Sequence, residues 1–314
     1  MSSTALLFPG QGSQEFGMGR SLAEQSHDAM ALWKRAESLS GLPLREIYWE
    51  GDEAAMANTK ALQPALTVVN LALWMQLASR IQPCAAAGHS LGEFSAFAAA
   101  GALPIDDVLR ITALRGALMA EADPHGAGAM AAIVKLDEST VEDIVRQSHE
   151  ATGQALLIAN YNTPAQLVIS GEKAAVEHAA ALTKEAKGRA IMLKVSGAFH
   201  SPLMAEAAKE LSPLLLKAHW SKPRFPVYCN IHGKPVADAH SAQQAAVQQM
   251  TSSVRWVDTV RTMAKAGTAC WLELGPKQVL GKMVQPCLVG LLPEGTSPTV
   301  LCARNEAELA AVQA

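Results

Sequence analysis

The sequence has little of what marks several large classes of protein. Only five of its 314 residues are cysteine (Cys84, Cys229, Cys270, Cys287 and Cys302), an odd number with no C-x-x-C pair. That argues against a disulfide framework and suits unpaired thiols in a reducing, cytoplasmic setting. No His/Cys cluster has zinc spacing, and H-E-x-x-H is missing. Neither sign of charge dominates: the net charge is −3, so no global basic field favours nucleic acid. Residues 1–8 have no basic region before their short apolar run, so a signal peptide is not expected. The most apolar long stretch, 64–78, is interrupted by Asn70 and Gln76 and reads as a buried helix, with no membrane association. The G-K-[ST] of a phosphate-binding P-loop and a complete G-x-G-x-x-G are both lacking. Repeats and disordered linkers are lacking too.

What is there is apolar substance and one conspicuous turn. Hydrophobic residues make up 49% of the chain, ample for a core, and the length suits one large domain with an insertion, or two domains. The turn is Gly88-His89-Ser90-Leu91-Gly92-Glu93-Phe94. Gly-x-Ser-x-Gly is the pattern of a nucleophile elbow, a sharp strand-to-helix turn that lifts a serine out of the backbone. Flanking glycines remove side chains that would clash there. A helix starting at Leu91 would point free N–H groups at the reacting centre. The preceding run, Cys84 to Ala87, is a poor strand by propensity, and a plain glycine-rich turn remains open on these residues alone.

Along the chain, Thr4 to Phe8 reads as a strand ending in the loop Pro9-Gly10-Gln11-Gly12-Ser13-Gln14. The Gln11 N–H has a possible use at a neighbouring site. Ser21 to Ser38 is predicted helical, and Gln63-Pro64-Ala65-Leu66 is predicted to start the buried helix. A helix follows the elbow to about Ala100, and another spans Ile105 to Glu121. From Gly128 strands are expected at 129–136, 155–160, 166–170 and 189–195, with helices at 138–149 and 172–187. This βαββαβ order is the ferredoxin-like pattern. It reads as an insertion over 125–195 between two parts of a larger α/β domain, 1–124 and 196–314. Beyond it, Ser201 can cap a helix begun by Pro202. Short strands are expected at Val227 to Asn230 and Cys270 to Leu274, and a helical tail from Asn305.

A serine hydroxyl needs a base. His89 adjoins Ser90, but neighbours at an elbow point apart. His27, His149 and His178 lie in polar helices, and nothing local positions His219, His232 or His240. His200 follows a glycine-containing loop and precedes the proline-started helix, though an ordinary loop histidine fits the same residues. No triad acid is evident, so a backbone carbonyl is an alternative partner for its Nδ1–H. Arg115 is flanked by Leu114 and Ala117-Leu118-Met119, which tilts it inward and away from the face of Arg110. An inward arginine beside an activated serine suits a substrate with a free carboxylate.

Taken together, Phe8 to Gln14, Gln63 to Leu66, Gly88 to Glu93, Arg115-Gly116, Gly128 to Ala132, Asn162-x-Pro164-x-Gln166, Gly197 to Ser201 and Glu273-x-Gly275-Pro276 resemble the malonyl-CoA:acyl-carrier-protein transacylase family from end to end. The resemblance implies an α/β-hydrolase-like core with an inserted ferredoxin-like subdomain. It implies Ser90 as nucleophile, His200 as base, and the N–H groups of Gln11 and Leu91 as oxyanion hole. Arg115 would bind the malonyl carboxylate, with Gln63, Asn162 and Phe199 as further substrate-binding positions. The Gln249 carbonyl would orient His200, although Ser252-Ser253 stands where the family often has Asn-Pro. In related acyltransferases Ala-Phe-His accompanies malonyl. The implied partners are malonyl-CoA and acyl carrier protein, with no cofactor or metal, and a monomer is expected. Rivals are a serine esterase or thioesterase, a non-enzymatic CoA-binding module, and an acyltransferase serving a polyketide synthase or malonate decarboxylase.

Overall fold

The structure is a computed structural model describing residues 3–293 and 296–312. Its strands are β1 (Thr4–Phe8), β2 (Ala85–Gly88), β3 (Gly128–Val134), β4 (Leu156–Thr163), β5 (Gln166–Glu172), β6 (Arg189–Met192), β7 (Val227–Tyr228), β8 (Cys270–Leu274) and β9 (Thr299–Ala303). They form two sheets: β7-β2-β1-β8-β9, parallel throughout, and β4-β5-β3-β6, antiparallel throughout.

The parallel sheet is covered on both faces, so its strands are apolar runs without alternation. Every residue of β1 is buried, and so is every residue of β2. The alanine run before the elbow is therefore a strand after all. Its low propensity is outweighed by a place between β1 and β7, where small side chains let helices pack closely on either face. The β1–β2 register pairs Phe8 with Gly88. Both strands thus end level, and the loops that follow meet at one edge, where open α/β sheets bind ligands.

Two predicted helices differ in their bounds. The stretch 21–38 is split into Arg20–Gln25 and His27–Ser40, because Ser26 is extended and its Oγ accepts the Ala29 N–H at 3.3 Å. The buried helix starts at Thr59 and runs to Leu77, capped by the Asn58 side chain, so Pro64 lies inside it and not at its start. Helix Ile105–Glu121 crosses this first turn at Gly116, where a Cβ would lie 2.9 Å from the Thr59 carbonyl oxygen. That close crossing sets Arg115 against Gln63.

From Gly128 the elements follow the expected order of strand, helix, two strands, helix and strand. Alternation is clear here. Ala131 and Ile133 face the helices Glu138–Thr152 and Lys173–Glu185, while Met130 and Ala132 join the main core. The edge strand β4 is tied to the other body through Val254, whose N–H donates to the Ala159 carbonyl at 2.8 Å and whose carbonyl accepts from Tyr161 at 2.9 Å. The Arg255 guanidinium lies 4.0 Å from the Tyr161 ring centroid, on the same seam.

Candidate active site

Ser90 sits between β2 and the helix Gly92–Ala99 with φ 52°, left-handed for a residue with a side chain. Such a conformation costs about 1–3 kcal/mol and persists only where neighbours over-determine it. Asn230 supplies that constraint: its Oδ1 accepts the Ser90 N–H at 2.6 Å and its Nδ2 donates to the Gly88 carbonyl at 2.7 Å. A Cβ on Gly88 would lie 1.9 Å from the Gly92 carbonyl carbon, so the turn closes only on glycine. A Cβ on Gly10 would lie 2.4 Å from the His89 carbonyl oxygen, which shows how tightly the β1 loop is drawn against the elbow. Neither the Gln11 nor the Leu91 N–H has an acceptor among the described residues.

His200 is buried, also with positive φ. Its Nε2 is 2.7 Å from Ser90 Oγ, and its Nδ1 is 3.0 Å from the Ser252 carbonyl and 3.2 Å from the Gln249 carbonyl. Carbonyls only accept, so Nδ1 carries the proton and Nε2 is left to accept from the serine. Burial, with Arg115 and His89 nearby, pushes the imidazole down to about 3, so it is neutral at working pH. The backbone turn that carries His200 is held by Ser201, whose hydroxyl donates to the Ala198 carbonyl at 2.6 Å and accepts from the Leu203 N–H at 3.2 Å. The Ser252 carbonyl is a partner the sequence did not indicate. The departure at Ser252-Ser253 was the only signal there.

Arg115 is 1% exposed. Its Nη1 donates to Gln63 Oε1 at 2.8 Å, and its Nη2 to Gln249 Oε1 at 3.0 Å and to Ser90 Oγ at 3.2 Å. Its Nε–H has no partner among the described residues. Burial lowers the guanidinium to about 10 while the Glu93 carboxylate opposes the shift, so the cation is retained at neutral pH. Arg110 is on the outside, 3.5 Å from Asp107.

Gln11, Gln63, Ser90, Leu91, Arg115, Phe199 and His200 line one cavity of about 110 Å³, whose far wall is Met130, Asn160, Leu193 and Val195. The site therefore lies between the two sheets and has the size of a short acyl group. One expected substrate-binding position is elsewhere. Asn162 stands behind the wall with its Oδ1 2.8 Å from His89 Nε2, and Asn160 takes the lining position. Gln249 reaches Arg115 and His200 from outside the cavity lining. Glu93 and Asn230, buried beneath the elbow, were not singled out as site residues, because their partners lie far off in sequence.

Residues 5–297 match the acyl transferase domain family, and the chain belongs to it. Its relatives include the malonyl CoA-acyl carrier protein transacylase of Haemophilus influenzae, 38% identical over 91% of this chain and 92% of that one. The Bacillus subtilis protein of the same name is also 38% identical, over 91% and 90%. Among solved structures, an acyl carrier protein S-malonyltransferase from Vibrio cholerae superposes with TM-score 0.91 at 34% identity, covering 99% of this chain and 100% of that one. A malonyl-transacylase in complex with a type II polyketide-synthase acyl-carrier protein does so with TM-score 0.91 at 34% identity, over 98% of each chain.

Proposed function

We propose that this acyltransferase moves a malonyl group from malonyl-CoA to the phosphopantetheine thiol of an acyl carrier protein, through an ester on Ser90. The observation that carries the reading is the buried Arg115 cation 3.2 Å from Ser90 Oγ. A charge sealed beside the nucleophile favours an acyl group that brings its own anion. The names of the relatives agree with it.

In the first half-reaction His200 Nε2 takes the serine proton as Oγ attacks the thioester carbonyl. The N–H groups of Gln11 and Leu91 hold the tetrahedral oxyanion. The intermediate collapses to acyl-serine, and the imidazolium returns its proton to the departing CoA thiolate. The carrier thiol then repeats the sequence in reverse, giving up its proton to His200, and the serine hydroxyl is restored. The ring is oriented by two carbonyls where a hydrolase triad uses a carboxylate. No metal or redox group takes part.

Strand order supports the finer architecture. Numbered within its own stretch, the antiparallel unit runs 2-3-1-4, that of a ferredoxin-like fold. We assign 125–195 to such an insertion and 1–124 with 196–314 to an α/β-hydrolase-like core. The five free cysteines suit a cytoplasmic enzyme, and no helix of the described residues is long and apolar enough to cross a membrane.

Arg115→Ala tests the substrate class. Truncating one partner of a buried charged pair costs about 2–5 kcal/mol, so malonyl transfer should fall by one or more orders of magnitude. Acetyl transfer, which brings no carboxylate, should fall little or rise. Arg115→Lys should recover part of the malonyl rate, since a point charge cannot make the bidentate fork. An equal fall of both rates on folded protein would make Arg115 structural.

Phe199 is 5% exposed and lines the same cavity. Its ring takes up space an α-methyl would need, so malonyl-CoA should be preferred to methylmalonyl-CoA. One methyl group is worth about 1–3 kcal/mol, and the preference should be partial. Equal kcat/KM for the two esters would remove this role.

A further inference from the structure

The guanidinium of Arg115 is useful only if it faces the acyl group, and its orientation depends on a residue that does not line the cavity. Glu93 is fully buried beneath the elbow. One of its carboxylate oxygens accepts the Asn230 backbone N–H at 2.6 Å, and the other accepts from Gln249 Nε2. The same Nε2 donates to the Ser90 carbonyl at 3.0 Å. Two pure acceptors thus stand on one side of the Gln249 amide. That forces its nitrogen toward them and its Oε1 toward Arg115, where it accepts from Nη2 at 3.0 Å.

We propose that Glu93 is a positioning residue for the acyl-carboxylate site: through the Gln249 amide it dictates which edge of that amide Arg115 meets, and so where the guanidinium points. This rests on the malonyl-transfer reading above. Both Glu93 oxygens accept N–H donors, which is the pattern of the ionised form, so Glu93 is also the buried counter-charge of Arg115. Burial pushes its carboxyl up to about 7, while the donors and Arg115 act against that.

The relay has a polarity that Glu93→Gln breaks without changing its shape. The Asn230 N–H requires an oxygen, so the new amide nitrogen is turned to Gln249 Nε2, donor against donor. If Gln249 flips to relieve this, its oxygen faces the Ser90 carbonyl and its nitrogen faces Arg115. No arrangement of the two amides satisfies both amides and all three neighbours, the Asn230 N–H, the Ser90 carbonyl and Arg115. Glu93→Asp keeps the charge but withdraws it by one methylene, so Asn230 and Gln249 cannot both be reached.

The experiment compares kcat/KM for malonyl-CoA and acetyl-CoA in wild type, Glu93→Gln and Glu93→Asp, with thermal melts to establish folding. The malonyl-to-acetyl ratio should fall about tenfold or more in Glu93→Gln, the worth of one hydrogen bond to a charged group. It should fall less, in the same direction, in Glu93→Asp. An unchanged ratio in a folded variant, or equal losses for both esters, overturns the proposal. So does failure of both variants to fold, which would make Glu93 a residue of the fold. A wild-type enzyme that moves no malonyl group overturns the functional reading and this one with it. Wild-type selectivity that survives both substitutions overturns this one alone.

Discussion

Ser90→Ala is expected to form no acyl-enzyme. Incubated with malonyl-CoA and examined by intact mass, the wild-type protein should gain one malonyl group and the variant none. The substitution removes only Oγ. The elbow is held through the Ser90 main chain, by the Asn230 amide on its N–H and the Gln249 amide on its carbonyl, so the backbone of the variant should stay in place. Among the described residues no other hydroxyl is bonded to His200. Ser201 donates to the Ala198 carbonyl at 2.6 Å and Ser13 to the Gly10 carbonyl at 2.7 Å. Neither is bonded to the imidazole that would activate it. A stoichiometric adduct on the variant would place the nucleophile elsewhere.

His200→Ala should lower the rate of acylation by about 10²–10⁴-fold, the usual contribution of a general base. The measurement is the single-turnover rate of acyl-enzyme formation, and near-normal acylation would move the base, with His89 next to be tested. The pH profile follows from the site. Burial is the first cause of the depressed imidazole, and the Arg115 charge is the second. With its pKa near 3, His200 is already in its base form from pH 5 to 8. Acylation should then show no acid limb near 6.5, the ordinary value for histidine. A limb there, lost in His200→Ala, would mean that the working imidazole is solvated. On the proposal that Arg115 binds the acyl carboxylate, that charge would offset the second cause and strengthen the base once the correct acyl group is bound. Stability carries the same sign. The unfolded chain takes up this proton near 6.5 and the folded protein near 3. The contribution is therefore complete above pH 6.5 and is lost as the pH falls toward 3. His200→Ala should remove that part of the acid sensitivity.

Local chemistry in the chain was enough for some of this protein. Gly-x-Ser-x-Gly specifies a turn because sterics between residues a few positions apart decide it. The order of elements from Gly128 to Met192 is legible for a similar reason, since strand alternation and helical periodicity are short-range patterns. The apolar flanks of Arg115 pointed it inward, and the ordered set of short motifs identified the family. Some local readings were overridden: Ala85–Gly88 is a strand because of where it lies in the sheet, and Pro64 is inside a helix that its own position seemed to begin. The amphipathic helix Trp256–Lys265 and the strand β9 were not read at all.

What only the tertiary structure decided is which groups meet. Ser90 and His200 are 110 residues apart, Arg115 and Gln249 are 134, and Ser90 and Asn230 are 140. A hydrogen bond requires about 3 Å and a defined direction, and no local pattern encodes either over such separations. That is why Asn162, placed by motif on the substrate, stands behind His89. It is also why Ser252, Asn230 and Glu93 became visible only once the parallel sheet and the four-stranded unit had closed around the elbow.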